Sequence, residues 1–436
     1  MTAHTKKEET NPLLAEIVTN LDNFVENINC LKETFDISKV MLREQQRTAV
    51  KNYEDFLNPY RSNDEKGNLQ VNIPDSAYKQ YLKIEKRKCR AEKALQLIPP
   101  TYIVSLVSLF DSFLAGLVRN VYSLKETLLL ESNMTFTYRQ ISEYSSVREV
   151  RKNIIDNTID KLFRDSHTEQ IEWLEKATGI KTLKKFSGWA AFIELTERRN
   201  LFVHSDGIVS SQYINECKKN DYEIDNVISG SKLTVDDSYF HKAYELLYEM
   251  AINLTQIVVN KLYIGAYTED TGVRDTILIR NVYDLICEKH YEVAINVSNF
   301  ARDSKVFKRN NKDKTFIELN LAQAYKWAGK EEQCHAVLKE LDTSAMNLEL
   351  RIPKMVLEGN FDDVYNMMIN VGSKSEILNK EAYREWPIFK EIRKQNKFVE
   401  TFEKIFDEPL LIKHTSSPME PTTSNVDEVM VDSITE

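Results

Sequence analysis

The stretch "TYIVSLVSLFDSFLAGLVRNVY", residues 101–122, decides the fold. Its apolar residues recur at helical spacing, so it predicts a helix buried in a core. One narrow stripe of this helix carries only small side chains, namely Ser105, Ser108, Ser112 and Ala115. Such a stripe lets a second helix approach closely. Asp111 lies at its edge, and it needs a partner because burying an unpaired charge is costly.

Glycine and proline are scarce throughout the chain. Its 436 residues include 11 Gly and 10 Pro, and no proline occurs between Pro100 and Pro353. Long segments have helical periodicity, whereas few alternate as strands do. We therefore expect an all-α protein. Its length exceeds that of one ordinary domain, so two or three domains are expected.

Changes of pattern divide the chain into four regions. Residues 1–94 predict an N-terminal helical hairpin followed by a basic helix, and Pro99-Pro100 open a central helical bundle over residues 95–268. Residues 272–411 predict helix-hairpin repeats. Residues 412–436 contain few large apolar groups, so we expect a disordered acidic tail.

The repeats are indicated by similar segments with turns near His290, Lys330 and Asn360. A spacing of about 30 to 40 residues is typical of helix-hairpin repeats. The segment "LNLAQAYKWAGKEEQCHAVL" resembles a tetratricopeptide repeat, with small and aromatic residues at Ala322, Tyr325, Gly329 and Ala336. The resemblance implies a surface for a protein or RNA partner.

A basic segment precedes the apolar helix. Between residues 79 and 93 there are seven basic and two acidic side chains, a local net charge of +5. Two tyrosines, Tyr78 and Tyr81, are interleaved with them, so the helix could bind a phosphate backbone. The alternative is a solvated helix face. The candidate RNA-binding residues are Lys83, Lys86, Arg87, Lys88 and Arg90.

The segment "TERRNLFVH", residues 196–204, places a cation in an apolar face. At 100° per residue Arg199 falls near the centre of an arc formed by the apolar side chains of Phe192, Leu195, Phe202 and Val203. Asp111 is its candidate partner. Asn200 and His204 are four residues apart and share a face. An arginine can bind phosphate oxygens bidentately, and a histidine can transfer a proton near neutral pH. The alternative is a purely structural role, in which Arg199 is an ion-pair partner and His204 is a helix cap.

Several classes of function are excluded. The net charge of −9 argues against a general nucleic-acid coat, although it leaves room for a local basic site. No phosphate-binding G-x-x-x-x-G-K-[ST] loop and no G-x-S-x-G hydrolase motif occurs. His167, His241 and His290 lack an acid or cysteine at ligand spacing, so neither a metal nor another cofactor is expected.

The composition predicts a cytoplasmic protein. The N-terminus lacks a secretory signal, and no run of about 18 apolar residues indicates a membrane span, so no membrane association is expected. The five cysteines are scattered without a C-x-x-C pair, which favours reduced thiols. They are Cys30, Cys89, Cys217, Cys287 and Cys334.

The sequence Arg199-Asn200-Leu201-Phe202-Val203-His204 resembles the R-N-x-x-x-H motif of the HEPN superfamily, and residues 95–268 are similar to its helical bundle. The resemblance implies a metal-independent endoribonuclease, active in toxin, anti-phage defence or RNA-processing systems. Arg199 and His204 would be catalytic, Asn200 would orient the site, and Asp111 would support it. The alternative is a non-catalytic interaction or scaffold protein.

Cleavage by 2′-OH attack needs one group to remove a proton and another to supply one. One motif offers one histidine, so a homodimer that brings together two copies of Arg199 and His204 is expected. The predicted products carry 2′,3′-cyclic phosphate and 5′-OH ends.

Overall fold

The computed structural model describes residues 11–64, 66–130, 135–181, 183–224, 227–264, 271–303, 311–342 and 347–411. Within these residues there are 17 α-helices and one two-stranded sheet, which confirms the predicted all-α class. The chain divides into two compact units, residues 4–341 and residues 342–436 together with 1–3. The predicted tail, residues 412–436, lies outside the described residues.

The larger unit begins with two long helices, α1 (Pro12–Leu57) and α2 (Asp75–Leu124). A short antiparallel hairpin of strands β1 (Arg61–Asn63) and β2 (Leu69–Val71) lies between them in the chain. The helices that follow in this unit are α3 (Thr127–Leu130), α4 (Tyr138–Ser142), α5 (Val147–Leu162), α6 (His167–Thr178), α7 (Trp189–His204), α8 (Ser211–Lys219), α9 (Asp237–Val258), α10 (Thr271–Cys287), α11 (Tyr291–Asp303), α12 (Asn311–Trp327) and α13 (Glu331–Glu340).

Helices α1 and α2 pack antiparallel along their length. The Asn20 side chain donates to the carbonyl oxygen of Phe113, 3.0 Å away, while the Ser38 hydroxyl lies 2.8 Å from that of Tyr102. Between these points Phe24 packs against Phe113, with ring centroids 5.0 Å apart. At Gly116 an added Cβ would lie 2.4 Å from the Asn20 side chain, so a larger residue there would force that side chain to move.

The structure differs from the sequence expectation at both long helices. The predicted N-terminal hairpin is one continuous helix, α1, and α2 runs through Pro99 and Pro100 without a break. The predicted boundary between residues 94 and 95 therefore lies inside α2. Prolines remove helix hydrogen bonds. Here α1 packs beside the helix on both sides of them, at Tyr81 and at Tyr102, and this contact offsets the loss.

By length and composition α2 would also be able to cross a membrane. This differs from the sequence expectation that no apolar run is long enough to indicate a membrane span. Of the apolar stretch, 44% is buried, with Ile103, Leu106, Phe110 and Leu114 fully buried. Such burial is equally the property of a core helix.

Helix α9 lies at the centre of the larger unit. Every residue from Leu247 to Val258 is buried, so the helix is covered on all sides. Phe240 near its start stacks on Phe35 of α1, with ring centroids 3.9 Å apart. After α9 the chain continues as a π-helix over Val259–Tyr263. Helix α7 packs against both α2 and α9, and its last turns place the sequence motif at the edge of the bundle.

Helices α10 to α13 form consecutive hairpins. The predicted turns near His290 and Lys330 lie between α10 and α11 and between α12 and α13. Lys289 and Gly329 adopt left-handed backbone angles there, with φ of 69° and 75°. The resemblance to tetratricopeptide repeats stays a prediction.

The smaller unit contains four helices in its described residues: α14 (Leu348–Glu358), α15 (Phe361–Val371), α16 (Lys380–Glu385) and α17 (Asn396–Phe406). The predicted turn near Asn360 separates the first two, at Gly359 with φ of 79°. The core of this unit is aromatic. Tyr383, Phe389, Phe398 and Phe402 are fully buried, and the rings of Tyr383 and Phe389 lie 5.0 Å apart.

Candidate functional site

Helix α7 carries the sequence motif and ends at it. Its inward side chains, among them Phe192 and Leu195, are fully buried. The backbone N–H groups of Ser205 and Gly207 both donate to the carbonyl oxygen of Leu201, at 2.8 and 3.0 Å. Gly207 has a φ of 77°, which glycine adopts without strain. His204 is therefore the last helical residue, followed directly by a tight turn.

Arg199 forms an ion pair with Asp111, as the sequence predicted. Its Nη2 atom donates to Oδ2 of Asp111, and its Nη1 atom donates to Oδ1 of Asn200 at 3.2 Å. The Arg199 and Asp111 side chains are each 21% exposed, so the pair lies at the edge of the bundle. Val203, predicted to share the buried arc, is instead half-exposed. The structure thus brings three predicted residues together: Asp111, Arg199 and Asn200.

A histidine that the sequence did not assign to the site joins this cluster. The Nε2 atom of His167 lies 2.8 Å from Oδ1 of Asp111, so the carboxylate binds the arginine through one oxygen and the histidine through the other. His167 begins α6, where Ser166 and Glu169 form a capping box. Its ring packs edge-on against Phe192, with centroids 5.6 Å apart. Sequence spacing gives no signal for this meeting, because it is a tertiary contact.

His204 does not join the cluster. It is exposed, and within the described residues no hydrogen bond or ion pair links it to Arg199 or Asp111. The two motif residues are five positions apart on the helix, which separates them by about 7.5 Å along the axis and about 140° around it. The motif therefore presents its guanidinium and its imidazole to different parts of the surface of one chain.

Other charges surround the cluster. Burial raises the pKa of Glu197 on α7, Glu216 raises it further, and His167 opposes both. At the end of α7 the Lys232 ammonium lies 2.6 Å from Asp206. Lys232 lowers the pKa of Asp206 through this hydrogen bond and its charge, and Lys93 of α2 lowers it further. The basic part of α2 is therefore close enough to act electrostatically on the turn that follows His204.

The neighbouring Arg198 belongs to a separate, fully paired network. Its Nε atom donates to the buried Glu194 at 2.6 Å, and its guanidinium stacks 4.0 Å from the centroid of the Tyr239 ring. Tyr213 and Tyr239 also donate to Glu194, at 2.6 and 2.7 Å. Burial and the Glu194 charge raise the pKa of both tyrosines. The i, i+4 spacing of Glu194 and Arg198 would have indicated this pair in the sequence.

The structure divides the predicted RNA-binding residues into two groups. Four of them are exposed on α2 without an ion pair or hydrogen bond to any described residue: Lys83, Lys86, Arg87 and Arg90. Lys88 instead turns toward α1, with its ammonium 4.5 Å above the centroid of the Tyr53 ring and 3.8 Å from Glu92. The four exposed residues fit both interpretations of this helix, a phosphate-binding face and a solvated face, whereas Lys88 packs against α1.

No group of three His, Cys, Asp or Glu side chains suited to a metal ion occurs among the residues that the structure describes. All five cysteines are free thiols. Cys217 is buried, and burial raises its pKa to about 12, so it is not a reactive thiolate. The groups of this surface that can bind a phosphate or transfer a proton are the arginine, the histidines and the carboxylate.

Comparison with family models, with curated proteins and with solved structures found no match to this chain. The resemblance to the HEPN superfamily therefore stays a prediction that depends on the motif and its position at a helix end.

Proposed function

We propose that this chain is a metal-independent endoribonuclease, in which Arg199 binds a phosphate of RNA and His204 transfers a proton. The observation that carries the proposal is the pair of Arg199 and Asp111, held at a partly exposed edge of the bundle on the helix that ends at His204. The products would carry 2′,3′-cyclic phosphate and 5′-OH ends.

Arg199 has donors left for a phosphate. A guanidinium carries five N–H groups, and Arg199 uses one on each Nη atom, while its buried Nε atom has no hydrogen-bond partner. Asp111 restricts the side chain to one geometry. A phosphate could therefore bind the second N–H group of each Nη atom without the entropic cost of ordering a mobile arginine.

His167 adds a second imidazole beside the same arginine. Because the Asp111 carboxylate can only accept, Nε2 of His167 carries the hydrogen, and Nδ1 of the neutral ring keeps its lone pair. An orienting carboxylate of this kind fixes the tautomer of a catalytic histidine. We therefore include His167 as a candidate base beside Arg199. The proposed homodimer would supply His204 of a second copy as the matching acid.

The cellular role proposed is that of a cytoplasmic toxin or anti-phage defence effector, and it depends on the HEPN resemblance. The repeats of α10 to α13 would then bind a regulatory protein or RNA. Growth arrest on expression, lost in His204→Ala, is the expected result in cells.

The biochemical test is cleavage of labelled RNA by the purified full chain in EDTA. We expect cleavage to a cyclic phosphate. His204→Ala should lose at least a hundred-fold, because general acid–base catalysis contributes about 10² to 10⁴. Arg199→Ala should lose at least a hundred-fold as well, because removing a group that stabilises transition-state charge costs about 10² to 10³. His335→Ala is the matched control, since His335 is an exposed histidine on α13. Loss of cleavage in EDTA, 5′-phosphate products, or equal rates in all four proteins would contradict the proposal.

The second candidate is a non-catalytic scaffold, and one observation favours it. The Asp111 carboxylate already joins α2, α6 and α7 through Arg199 and His167. Holding these helices together is sufficient reason for an ion pair at the edge of the bundle. In that case Arg199→Ala would lower the melting temperature, His204→Ala would change nothing, and neither RNA cleavage nor growth arrest would be observed with the wild type.

A further inference from the structure

A basic stripe runs along the exposed face of α2. At 100° per residue, six of the seven basic side chains between residues 79 and 93 fall within an arc of about 120°. These six, here called the basic stripe, are Lys79, Lys83, Lys86, Arg87, Arg90 and Lys93. Glu85, Lys88 and Glu92 fall outside this arc. The stripe therefore contains six positive charges and no acid, within a chain of net charge −9.

The stripe is open to solvent. All six side chains are exposed, and within the described residues none has a hydrogen bond or an ion pair. The opposite face of α2 is the one that α1 covers, because the rings of Tyr53 and Phe56 lie 6.2 and 6.5 Å from that of Tyr81. Unpaired cations held in a row repel one another, so an anionic ligand would relieve an existing electrostatic cost.

The spacing suits a polyanion better than a single small ion. Lys79 and Lys93 are separated by about 21 Å along the helix, at 1.5 Å per residue. A row of this length meets several phosphates of one strand. Tyr78 lies at the N-terminal end of the stripe, about 60° outside its arc. Its exposed ring offers a surface on which a base can stack.

The stripe also leads toward the candidate site. Lys93, at its C-terminal end, acts electrostatically on Asp206, which lies two residues beyond His204. Helix α2 continues from Lys93 to Asp111, which pairs with Arg199 near the end of α7, so a strand lying along the stripe would be directed along α2 toward the end of α7.

We propose that the basic stripe binds the phosphate backbone of single-stranded RNA and directs the strand to the end of α7. The choice of RNA rests on the proposed function. The main alternative ligand is an anionic membrane surface. It is less well suited, because a membrane-bound amphipathic helix inserts its apolar face, and here α1 covers that face.

The test measures binding separately from cleavage. The full chain carrying His204→Ala is titrated against a fluorescein-labelled, unstructured 20-nucleotide RNA, with anisotropy read at several salt concentrations. The stripe variant adds four substitutions: Lys83→Ala, Lys86→Ala, Arg87→Ala and Arg90→Ala. We expect its Kd to rise at least ten-fold. Single-strand contacts change the slope of log K against log salt by about 0.7 each, so the slope should weaken by about 3.

Two matched controls test the position of the charges. Lys88→Ala removes a cation from the same helix on the face toward α1, and it should change Kd less than two-fold. A charge-matched variant removes four exposed lysines elsewhere in the larger unit, and it should also stay within two-fold: Lys152→Ala, Lys161→Ala, Lys218→Ala and Lys314→Ala. Equal loss in the stripe and charge-matched variants, or no loss in the stripe variant, would overturn the proposal.

Vesicles of phosphatidylserine and phosphatidylcholine are the third arm. Stripe-dependent binding to these vesicles without stripe-dependent RNA binding would also overturn the proposal, in favour of a membrane surface. If the wild type cleaves no RNA but its binding depends on the stripe, the proposed nuclease function fails and the RNA-binding inference stands. If the wild type cleaves RNA but its binding does not depend on the stripe, the RNA-binding inference fails and the proposed nuclease function stands.

Discussion

Asp111 and Arg199 lie 88 residues apart in the chain and form an ion pair between α2 and α7. His167 of α6 shares the same carboxylate. One acid therefore fixes the relative positions of three helices and also restrains the guanidinium of the candidate site. A stability measurement tests how far Asp111 holds the three helices together, and an RNA assay tests its role at the candidate site. A purely structural ion pair would affect only stability.

Replacing Asp111 should destabilise the larger unit. Asp111→Asn leaves the Arg199 charge at the bundle edge without a counter-ion, and hydrogen bonds to charged groups contribute about 1–3 kcal/mol. We expect the free energy of unfolding, measured by urea denaturation, to fall by about that amount. Asp156→Asn is the control, because its pair with Arg119 is well exposed and should contribute less than about 0.5 kcal/mol. Equal effects would mean that the Asp111 pair stabilises no more than a surface pair does.

The Glu194 network should be more sensitive than the Asp111 pair. Glu194 is almost fully buried, so Glu194→Gln leaves Arg198 without its counter-ion, at a cost of about 3–5 kcal/mol. Tyr213→Phe removes one donor and should cost about 1–2 kcal/mol. Tyr138→Phe changes a fully exposed ring and should cost nothing measurable. A Tyr213 variant as stable as the Tyr138 variant would show that this hydrogen bond adds no net stability.

Glu249 should make the larger unit less stable as pH rises. Burial raises its pKa to about 7, against the opposing hydrogen bond from Asn296. The folded state therefore keeps a proton that the unfolded state releases near pH 4.5. The stability that Glu249 contributes is fully present below pH 4.5 and is lost as the pH rises to about 7. Glu249→Gln should match the wild type near pH 4 and exceed it at pH 8, by at most about 3 kcal/mol.

His290 acts in the opposite direction. Burial lowers its pKa to about 4, so it contributes stability above pH 6.5 that is lost as pH falls toward 4. Both proteins contain His290, so its contribution cancels when the free energy of unfolding of the wild type is subtracted from that of Glu249→Gln. A difference that does not change between pH 4 and pH 8 would contradict the Glu249 prediction.

The turn after His204 should tolerate alanine poorly. Gly207 has a φ of 77°, and an added Cβ would lie 3.0 Å from the Phe202 ring. Gly230 has a φ of 88° with nothing within 4 Å of such a Cβ. Gly230→Ala should therefore show the backbone cost alone, about 1 kcal/mol, and Gly207→Ala more than that. Melting temperatures of the two variants check the comparison, and equal shifts would show that Phe202 moves aside freely.

The sequence could predict the helices but not all of their ends. Apolar periodicity identified the helix over residues 101–122, yet it could not show that the same helix begins at Asp75. Two prolines are a local signal to end a helix. Packing against α1 along both halves outweighs that signal, and this contact depends on residues far away in the chain.

The candidate site shows the same division. The sequence indicated that Arg199 lies on a partly apolar face and named Asp111 as its partner, because a buried-edge cation needs a nearby acid. The sequence did not indicate that His167 joins the site. It placed His204 with Arg199 only because both belong to the R-N-x-x-x-H motif. Helix geometry separates those two side chains within one chain, whereas the fold of α6 brings His167 to Asp111.

By itself the sequence determined the all-α class, the turns between the helix hairpins, and the presence of an arginine on the apolar face of α7. These features follow from local periodicity, glycine and charge, which act over a few residues. Only the tertiary structure decided which side chains share Asp111, and only the packing of α1 covered the face of α2 that carries Lys88. These outcomes depend on which helix faces another, and that choice is made by burial summed over the whole core.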